Sequence, residues 1–199
     1  MTDVFPTTAP SLAEKARAGL GRRNLIFVGL MGAGKSVIGR MTATQLGLPF
    51  IDTDAEIERV SRMTISELFA AYGESEFRAL EARVICRLLK GGPKVVSTGG
   101  GAFINENTRK HIEEGGLSLW LKADLDILWA RVSKRDHRPL LKAENPRQVL
   151  ENLMNQRYPI YSLADITILS RDVRKEVIVS EVLSRLAADD NESGRTNDG

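Results

Sequence analysis

From residue 24 to residue 187, short apolar runs alternate with longer amphipathic ones. The runs at 24–29 (NLIFVG), 48–52 (LPFID), 94–98 (KVVST), 117–122 (LSLWLK) and 165–169 (DITIL) are too short for stable helices and read as strands. The segments between them carry helical signals. A helix is expected over 35–46. Thr53 and Glu56 stand at capping-box spacing for a second, and Thr64 and Glu67 repeat that spacing ahead of a third, which ends at Gly73. Phe77, Leu80, Val84 and Leu88 recur at helical intervals. Further helices are expected over 105–114 and 124–134. Another opens at Asn145, Pro146 and Gln148 and runs to about Tyr158, ahead of Pro159, and the last covers 175–187.

Strands alternating with helices predict an α/β fold, a five-stranded parallel sheet with helices on both faces. The uninterrupted apolar character of the strands agrees, since such strands are buried on both faces. Ligands in these folds bind at the carboxyl ends of the strands. The loops GLMGAGKS (29–36), DTD (52–54) and STGGGAF (97–103) follow the first three strands. They are therefore expected on one rim.

With 199 residues, the chain has room for one domain with a sizeable core. Residues 24–187 are assigned to it. Residues 1–23 form an N-terminal extension, mobile or briefly helical at 11–20, and 188–199 a polar tail expected to be disordered. The 28 basic and 26 acidic residues leave a net charge of +2, which makes no overall case for nucleic acid or an anionic membrane. No apolar run approaches the ~20 residues of a membrane span, and the first residues lack the apolar segment of a secretory signal. A cytoplasmic protein is expected. The single cysteine, Cys86, excludes a disulfide within the chain and reads as a buried thiol in a helix. His111 and His137 read as solvated.

Gly29 to Ser36 fits G-x-x-x-x-G-K-[ST] in full and lies between a strand and a helix, the context that gives the pattern its meaning. Backbone amides there turn inward around phosphate oxygens at a helix N-terminus. Lys35 reaches for the β- and γ-phosphates, and the Ser36 hydroxyl is a Mg²⁺ ligand. This makes the chain a nucleotide-binding protein without fixing its reaction. A GTPase would carry Asn-Lys-x-Asp, which is absent, and a remodelling ATPase would need more chain. A kinase needs a second pocket for an acceptor. Asp52 and Asp54, two apart at the end of a strand, would face the same way. Asp52 suits Mg²⁺ through a water, and Asp54 suits an acceptor hydroxyl whose proton it can take. Arg78 has Glu74 and Glu81 at helical spacing and by itself reads as a solvated cation, as Arg157 does at a helix end. Arg138 lies in a charged stretch, about 132–142, with the length and polarity of a mobile lid.

Taken together and in order, GLMGAGKS, DTD, FRALE, STGGGAF, RPLL and R-x-x-x-Y resemble shikimate kinase over roughly residues 24–185. The resemblance implies a P-loop fold of the nucleoside monophosphate kinase type with a lid. It implies Mg-dependent transfer of the ATP γ-phosphate to the 3-hydroxyl of shikimate, a step toward chorismate and the aromatic amino acids. The partners it implies are shikimate and ATP, and since no extended apolar seam stands out in the sequence, a monomer is expected. Carried over by position, Asp54, Arg78, Gly99, Gly100, Gly101 and Arg157 bind shikimate. Gly32, Ala33, Gly34, Lys35, Ser36 and Val37 hold the nucleotide. Ser36 and Asp52 hold Mg²⁺. Arg138 reaches the transferring group, Arg131 packs on adenine, and Arg174 lies in the adenine-side loop. Asp54, Lys35 and Arg138 form the catalytic set. Paired guanidinium groups suit the acceptor's carboxylate, which they can grip by parallel hydrogen bonds. The nearest rivals are a gluconate kinase and a nucleoside monophosphate kinase, and neither accounts for the DTD, FR and GGG elements together. A nucleotide-binding regulatory module would be expected to lack one of Lys35, Asp52, Asp54 or Arg138, and all are present.

The second glycine cluster, Gly99 to Gly101, then has a use. It would let backbone approach the acceptor, with the Gly100 amide as donor. A tight turn needing positive φ is the competing account, and it explains one glycine rather than three.

Overall fold

The computed structural model describes residues 9–134 and 144–193. In chain order the elements are α1 (Leu12–Leu20), β1 (Asn24–Val28), α2 (Lys35–Leu46), β2 (Phe50–Asp52), α3 (Thr53–Ser61), α4 (Ile65–Leu89), β3 (Val95–Ser97), α5 (Glu106–Gly115), β4 (Gly116–Lys122), α6 (Leu125–Val132), α7 (Pro146–Tyr161), β5 (Ile166–Leu169) and α8 (Lys175–Ser193). A short 3₁₀ turn at Ala102–Ile104 follows β3. All strand pairs are parallel, in the order β2-β3-β1-β4-β5. Chain order reverses on either side of β1, so the rim beyond β1 and β3 is the crevice in which such sheets bind ligands.

The strands β1 and β3 and the interior of β4 are buried throughout, as their sequences require. The edge strands differ. Residues of β2 are half-buried, and β5 alternates, with Ile166 and Ile168 inward and Thr167 and Leu169 outward. Only one face of β5 is covered, so period-two burial replaces the apolar run expected there. The main core joins the sheet to α1, α2, the C-terminal part of α4 (Ile85 and Leu89), α5, α6, α7 and α8. A second, smaller core of Ile57, Leu68, Phe77 and Val84 ties α3 to α4. That pair carries Asp54 and Arg78.

Several boundaries moved, each for a local reason. Residues 11–20 are more than a peripheral helix: Ser11 and Glu14 form a reciprocal cap, and Ala16 and Leu20 are fully buried, with α1 packed along α8. Helix α8 runs on to Ser193, past Ala188, where the polar tail was expected to begin. Thr53 is not the cap of α3. Asp52 takes that role, accepting from the amides of Asp54 (3.1 Å) and Ala55 (3.5 Å). Asp54 therefore lies in the first turn of a helix rather than on the strand. Gly73, at φ +76° and ψ 175°, divides α4 into two helical stretches, and only glycine adopts that φ freely. Helix α7 continues through Pro159 to Tyr161, because Tyr158 and Tyr161 are both held in an aromatic cluster with Trp120 that outweighs one missing backbone donor. The lid expected over about 132–142 falls, beyond Lys134, outside the described residues, and Arg138 and His137 with it. Among the described residues no helix is long and apolar enough to cross a membrane.

Candidate active site

The loop from Gly29 to Ser36 joins the end of β1 to α2. Gly29, Gly32 and Gly34 all have positive φ, at 133°, 84° and 100°. At Gly29 and Gly32 a Cβ would also strike the Leu121 carbonyl at 2.8 Å or Val132 at 2.9 Å. The loop curls over the start of α2, whose free amides favour an anion. Lys35, only 9% exposed, donates from Nζ to the carbonyls of Gly29 (2.7 Å) and Leu30 (3.0 Å). Its charge is thus held against the loop it serves. Ala33 is buried, and its carbonyl accepts from Ser170 Oγ at 2.7 Å. Val37 is exposed on the first turn of α2, with its amide spent on the Gly34 carbonyl at 3.1 Å.

Ser36 Oγ donates to Asp52 Oδ2 at 2.7 Å and lies 3.2 Å from Ser97 Oγ. The other Asp52 oxygen caps α3, which fixes the carboxylate beside the P-loop. Hard oxygen donors of this kind, few in number and next to a phosphate cradle, match the way Mg²⁺ is held by one or two side chains together with substrate phosphates. The residues present fit that ion.

Arg131 is built into the nucleotide side. Its guanidinium donates to Ser170 Oγ (2.8 Å) and the Arg171 carbonyl (2.9 Å), and more loosely to the carbonyls of Gly32 (3.3 Å) and Ala33 (3.4 Å). It straps the P-loop to the segment after β5. Arg174 is not drawn in: its side chain is 83% exposed and lies 3.9 Å from Glu176.

The acceptor side centres on Gly99 to Gly101. None of the three has positive φ, so a strained turn does not explain them. Their surroundings do. A Cβ on Gly99 would come within 2.7 Å of Asp54 Oδ1 and 2.8 Å of Glu81 Oε1, and one on Gly101 would fall inside the Arg78 guanidinium. Gly100 faces the P-loop, with Met31 N at 3.5 Å and Gly29 O at 3.7 Å from a Cβ, a distance that protein neighbours would tolerate. The loop is thus wedged between Asp54 and Arg78 on one side and the P-loop on the other. Its backbone is pinned. Thr53 Oγ1 accepts from the Gly99 amide (3.1 Å), and the Gly99 carbonyl accepts from the Ala102 amide (3.2 Å).

Arg78 keeps both helical partners, but not as a solvated cation. Nη1 donates to Glu81 Oε2 at 2.7 Å, and contacts to Glu74 are longer, 3.3–3.4 Å. The guanidinium sits 5.1 Å from the Phe77 ring centre, within cation–π range. Glu81 is 1% exposed, and its Oε1 has no hydrogen-bond partner among the described residues. Burial holds its carboxyl above the ordinary range; Arg78 pulls against that and the neighbouring Asp54 charge adds to it. Sequence reasoning placed Glu81 on a solvated face and missed it. The available signal was a carboxylate four residues after Phe77 and four before Ile85, inside the apolar stripe of α4.

Asp54 is half-buried. Burial raises its carboxyl above the ordinary range and the Asp52 charge adds to the rise, while Lys35 opposes it. Arg157 on α7 donates from Nη1 to the Gly100 carbonyl at 3.0 Å, next to Gly101, whose Cβ would fall inside the Arg78 guanidinium. Two guanidinium groups, the Asp54 and Glu81 carboxylates and a side-chain-free backbone thus meet beside the phosphate cradle. This arrangement can hold a small acid by its carboxylate and present a hydroxyl to Asp54. Cys86 is half-buried rather than buried, and lines with His111 a groove of about 520 Å³ between α4 and α5 that shares no residue with this site.

A family model described as shikimate kinase matches residues 31–187. The chain is 70% identical over 193 residues to a shikimate kinase of Rhizobium leguminosarum bv. trifolii, covering 97% of this chain and 98% of that one. It is 67% identical to a shikimate kinase of Rhizobium meliloti, over 94% of this chain and 97% of the other. Among solved structures, a shikimate kinase from Acinetobacter baumannii in complex with shikimate superposes with a TM-score of 0.81 at 33% identity, over 87% of this chain and 97% of that one.

Proposed function

The chain belongs to the shikimate kinase family, an ATP-dependent kinase that phosphorylates shikimate, and we propose that it transfers the γ-phosphoryl group of ATP, with Mg²⁺, to the 3-hydroxyl, with the glycine loop after β3 as the hinge of the design. The observation that carries this reading is that Gly99 to Gly101 touch Asp54 and Arg78 on one side and the P-loop on the other. Acceptor and phosphate are therefore brought together by backbone that has no side chains in the way.

Arg78 and Arg157 grip the shikimate carboxylate from two sides. That fixes the ring, and a fixed ring presents one hydroxyl to Asp54 in near-attack geometry. Asp54 accepts the hydroxyl's hydrogen bond and takes its proton as the new P–O bond forms and the bond to ADP breaks. Lys35, already desolvated against the Gly29 and Leu30 carbonyls, offsets charge on the phosphoryl group and the leaving ADP. Ser36 and Asp52 would hold Mg²⁺, which when bound draws negative charge from the β- and γ-phosphates. Arg138, which the family pattern puts on the lid, would add a further cation there. Glu81 fixes Arg78 between turns of use. The reading takes the enzyme as a monomer in the cytoplasm with its ATP.

Arg78→Lys tests the acceptor assignment. Lysine preserves the charge that Glu81 needs, avoiding an unpaired buried carboxylate. It loses the planar fork. The KM for shikimate should rise by roughly tenfold or more with the KM for ATP unchanged, since a charged hydrogen bond commonly contributes about 1.5–3 kcal/mol. Equal effects on both substrates, or none, in steady-state kinetics would remove Arg78 from the clamp.

A further inference from the structure

Arg157 and Tyr161 stand four residues apart on α7, so their side chains leave the same face of the helix. Both end on one atom. The Gly100 carbonyl oxygen accepts from Arg157 Nη1 at 3.0 Å and from the Tyr161 hydroxyl. A carbonyl has two acceptor sites, and these donors fill them. Tyr161 is fully buried, with its ring centre 6.4 Å from Phe103, 6.0 Å from Trp120 and 6.3 Å from Tyr158, so the hydroxyl is delivered by a rigid side chain.

We propose that the Tyr161 hydroxyl is a positioning group for the acceptor: it anchors the Gly100 carbonyl to α7 and so leaves the Arg157 guanidinium available to the acceptor's carboxylate. The proposal rests on the reading of Arg157 as part of the clamp. Three consecutive glycines have no side chains to hold them and are costly to order. Each peptide plane of the loop therefore needs an outside anchor. The Gly99 carbonyl accepts from Ala102 and the Gly101 carbonyl from Ile104 (3.1 Å), both local backbone bonds. The plane between Gly100 and Gly101 is anchored only from α7 among the hydrogen bonds described. Because a peptide unit is planar, fixing that carbonyl also aims the Gly101 amide, at the residue that lies against Arg78. If Arg157 were the sole anchor, gripping a carboxylate would compete with holding the loop. Tyr161 removes the competition. Burial pushes its hydroxyl up to about 12, with Arg157 pulling against the rise, so it remains a donor throughout the working pH range.

Tyr161→Phe retains the ring and deletes the donor. The KM for shikimate should rise roughly tenfold, because Arg157 is then the carbonyl's sole anchor and holding the loop competes with gripping the carboxylate. The KM for ATP should be unchanged, and kcat should fall by less than the KM rises. Tyr158→Phe is the control. It removes a hydroxyl from the same aromatic cluster, one that is bonded to the Ala123 carbonyl instead, and should leave the shikimate KM at the wild-type value. The proposal is overturned if Tyr161→Phe has a wild-type shikimate KM, if both phenylalanine variants raise it equally, if both substrates' KM values rise together, or if Tyr161→Phe does not fold. Arg157→Lys separates the two layers. A raised shikimate KM there beside a normal one in Tyr161→Phe defeats only the positioning role, whereas a normal value in Arg157→Lys defeats the clamp itself.

Discussion

Asp54→Asn should lower turnover of shikimate by roughly 10²–10⁴-fold, the range a general base supplies, while ATP binding is retained. Asparagine keeps the shape and one acceptor oxygen in the first turn of α3, so the acceptor can still be oriented. It cannot take a proton or carry the charge. The same substitution has a second, opposite consequence. Burial first, and then the Asp52 charge, hold the Asp54 carboxyl above its ordinary range despite the pull of Lys35. A carboxyl raised in the folded state is disfavoured there in its ionised form. The stability it allows is fully present below the ordinary carboxylate range and is lost as pH climbs through the raised value. At neutral pH the wild-type protein carries that loss and the asparagine variant does not. Asp54→Asn should therefore melt at a higher temperature than wild type at pH 7, and the gap should close as pH falls into the carboxylate range. Thermal denaturation at both pH values, beside steady-state kinetics, reads both effects. Near-normal turnover would take Asp54 out of the chemistry, and a lower melting temperature at pH 7 would contradict the electrostatic account of the site.

Lys35→Met should reduce kcat by roughly 10²–10³-fold, the loss seen when one preorganised charge-stabilising donor is removed. Methionine approximates the stem and removes the ammonium. In this structure that ammonium is held by the Gly29 and Leu30 carbonyls, at 2.7 and 3.0 Å, so it is in place before a phosphate arrives. Leaving those carbonyls with one donor fewer should cost about 1–3 kcal/mol of stability. ATP affinity should fall, since part of the lost attraction is already present in the ground state. Shikimate affinity in the absence of nucleotide should fall much less, because the acceptor's carboxylate is assigned to Arg78 and Arg157 rather than to Lys35. Calorimetric titration of each ligand separates the two. An equal loss of shikimate affinity would mean that the two glycine loops do not serve different ligands.

The sequence alone was sufficient wherever chemistry follows from a contiguous pattern. Gly29 to Ser36 is a loop whose function is written in its own spacing, and the structure places it between β1 and α2 as that spacing requires. The parallel sheet was legible for the same reason, since alternation of period and burial is a local property. What escaped depended on distant residues. Glu81 reads as half of an intrahelical pair until the approach of Gly99 shows that it is buried. Thr53 reads as a cap until Asp52 takes the cap and the threonine hydroxyl meets the Gly99 amide. Tyr161 lies beyond Pro159, a residue that ordinarily ends a helix, so its place on the face of Arg157 depends on the packing of an aromatic cluster. The glycines after β3 stand out in the sequence, and the competing account of a turn needing positive φ does not apply to them. At Gly99 and Gly101, Asp54, Glu81 and Arg78 occupy the space where a side chain would begin, whereas Gly100 meets only ordinary contacts.

One tube tests the central claim. The enzyme, ATP and Mg²⁺ are mixed with equal amounts of shikimate, gluconate and AMP, and the products are followed by phosphorus and proton nuclear magnetic resonance. The account predicts ADP and a single new phosphomonoester whose phosphorus couples to the ring proton at carbon 3 of shikimate, with gluconate and AMP untouched. Phosphate on gluconate or AMP, on another shikimate hydroxyl, or released chiefly to water would contradict it.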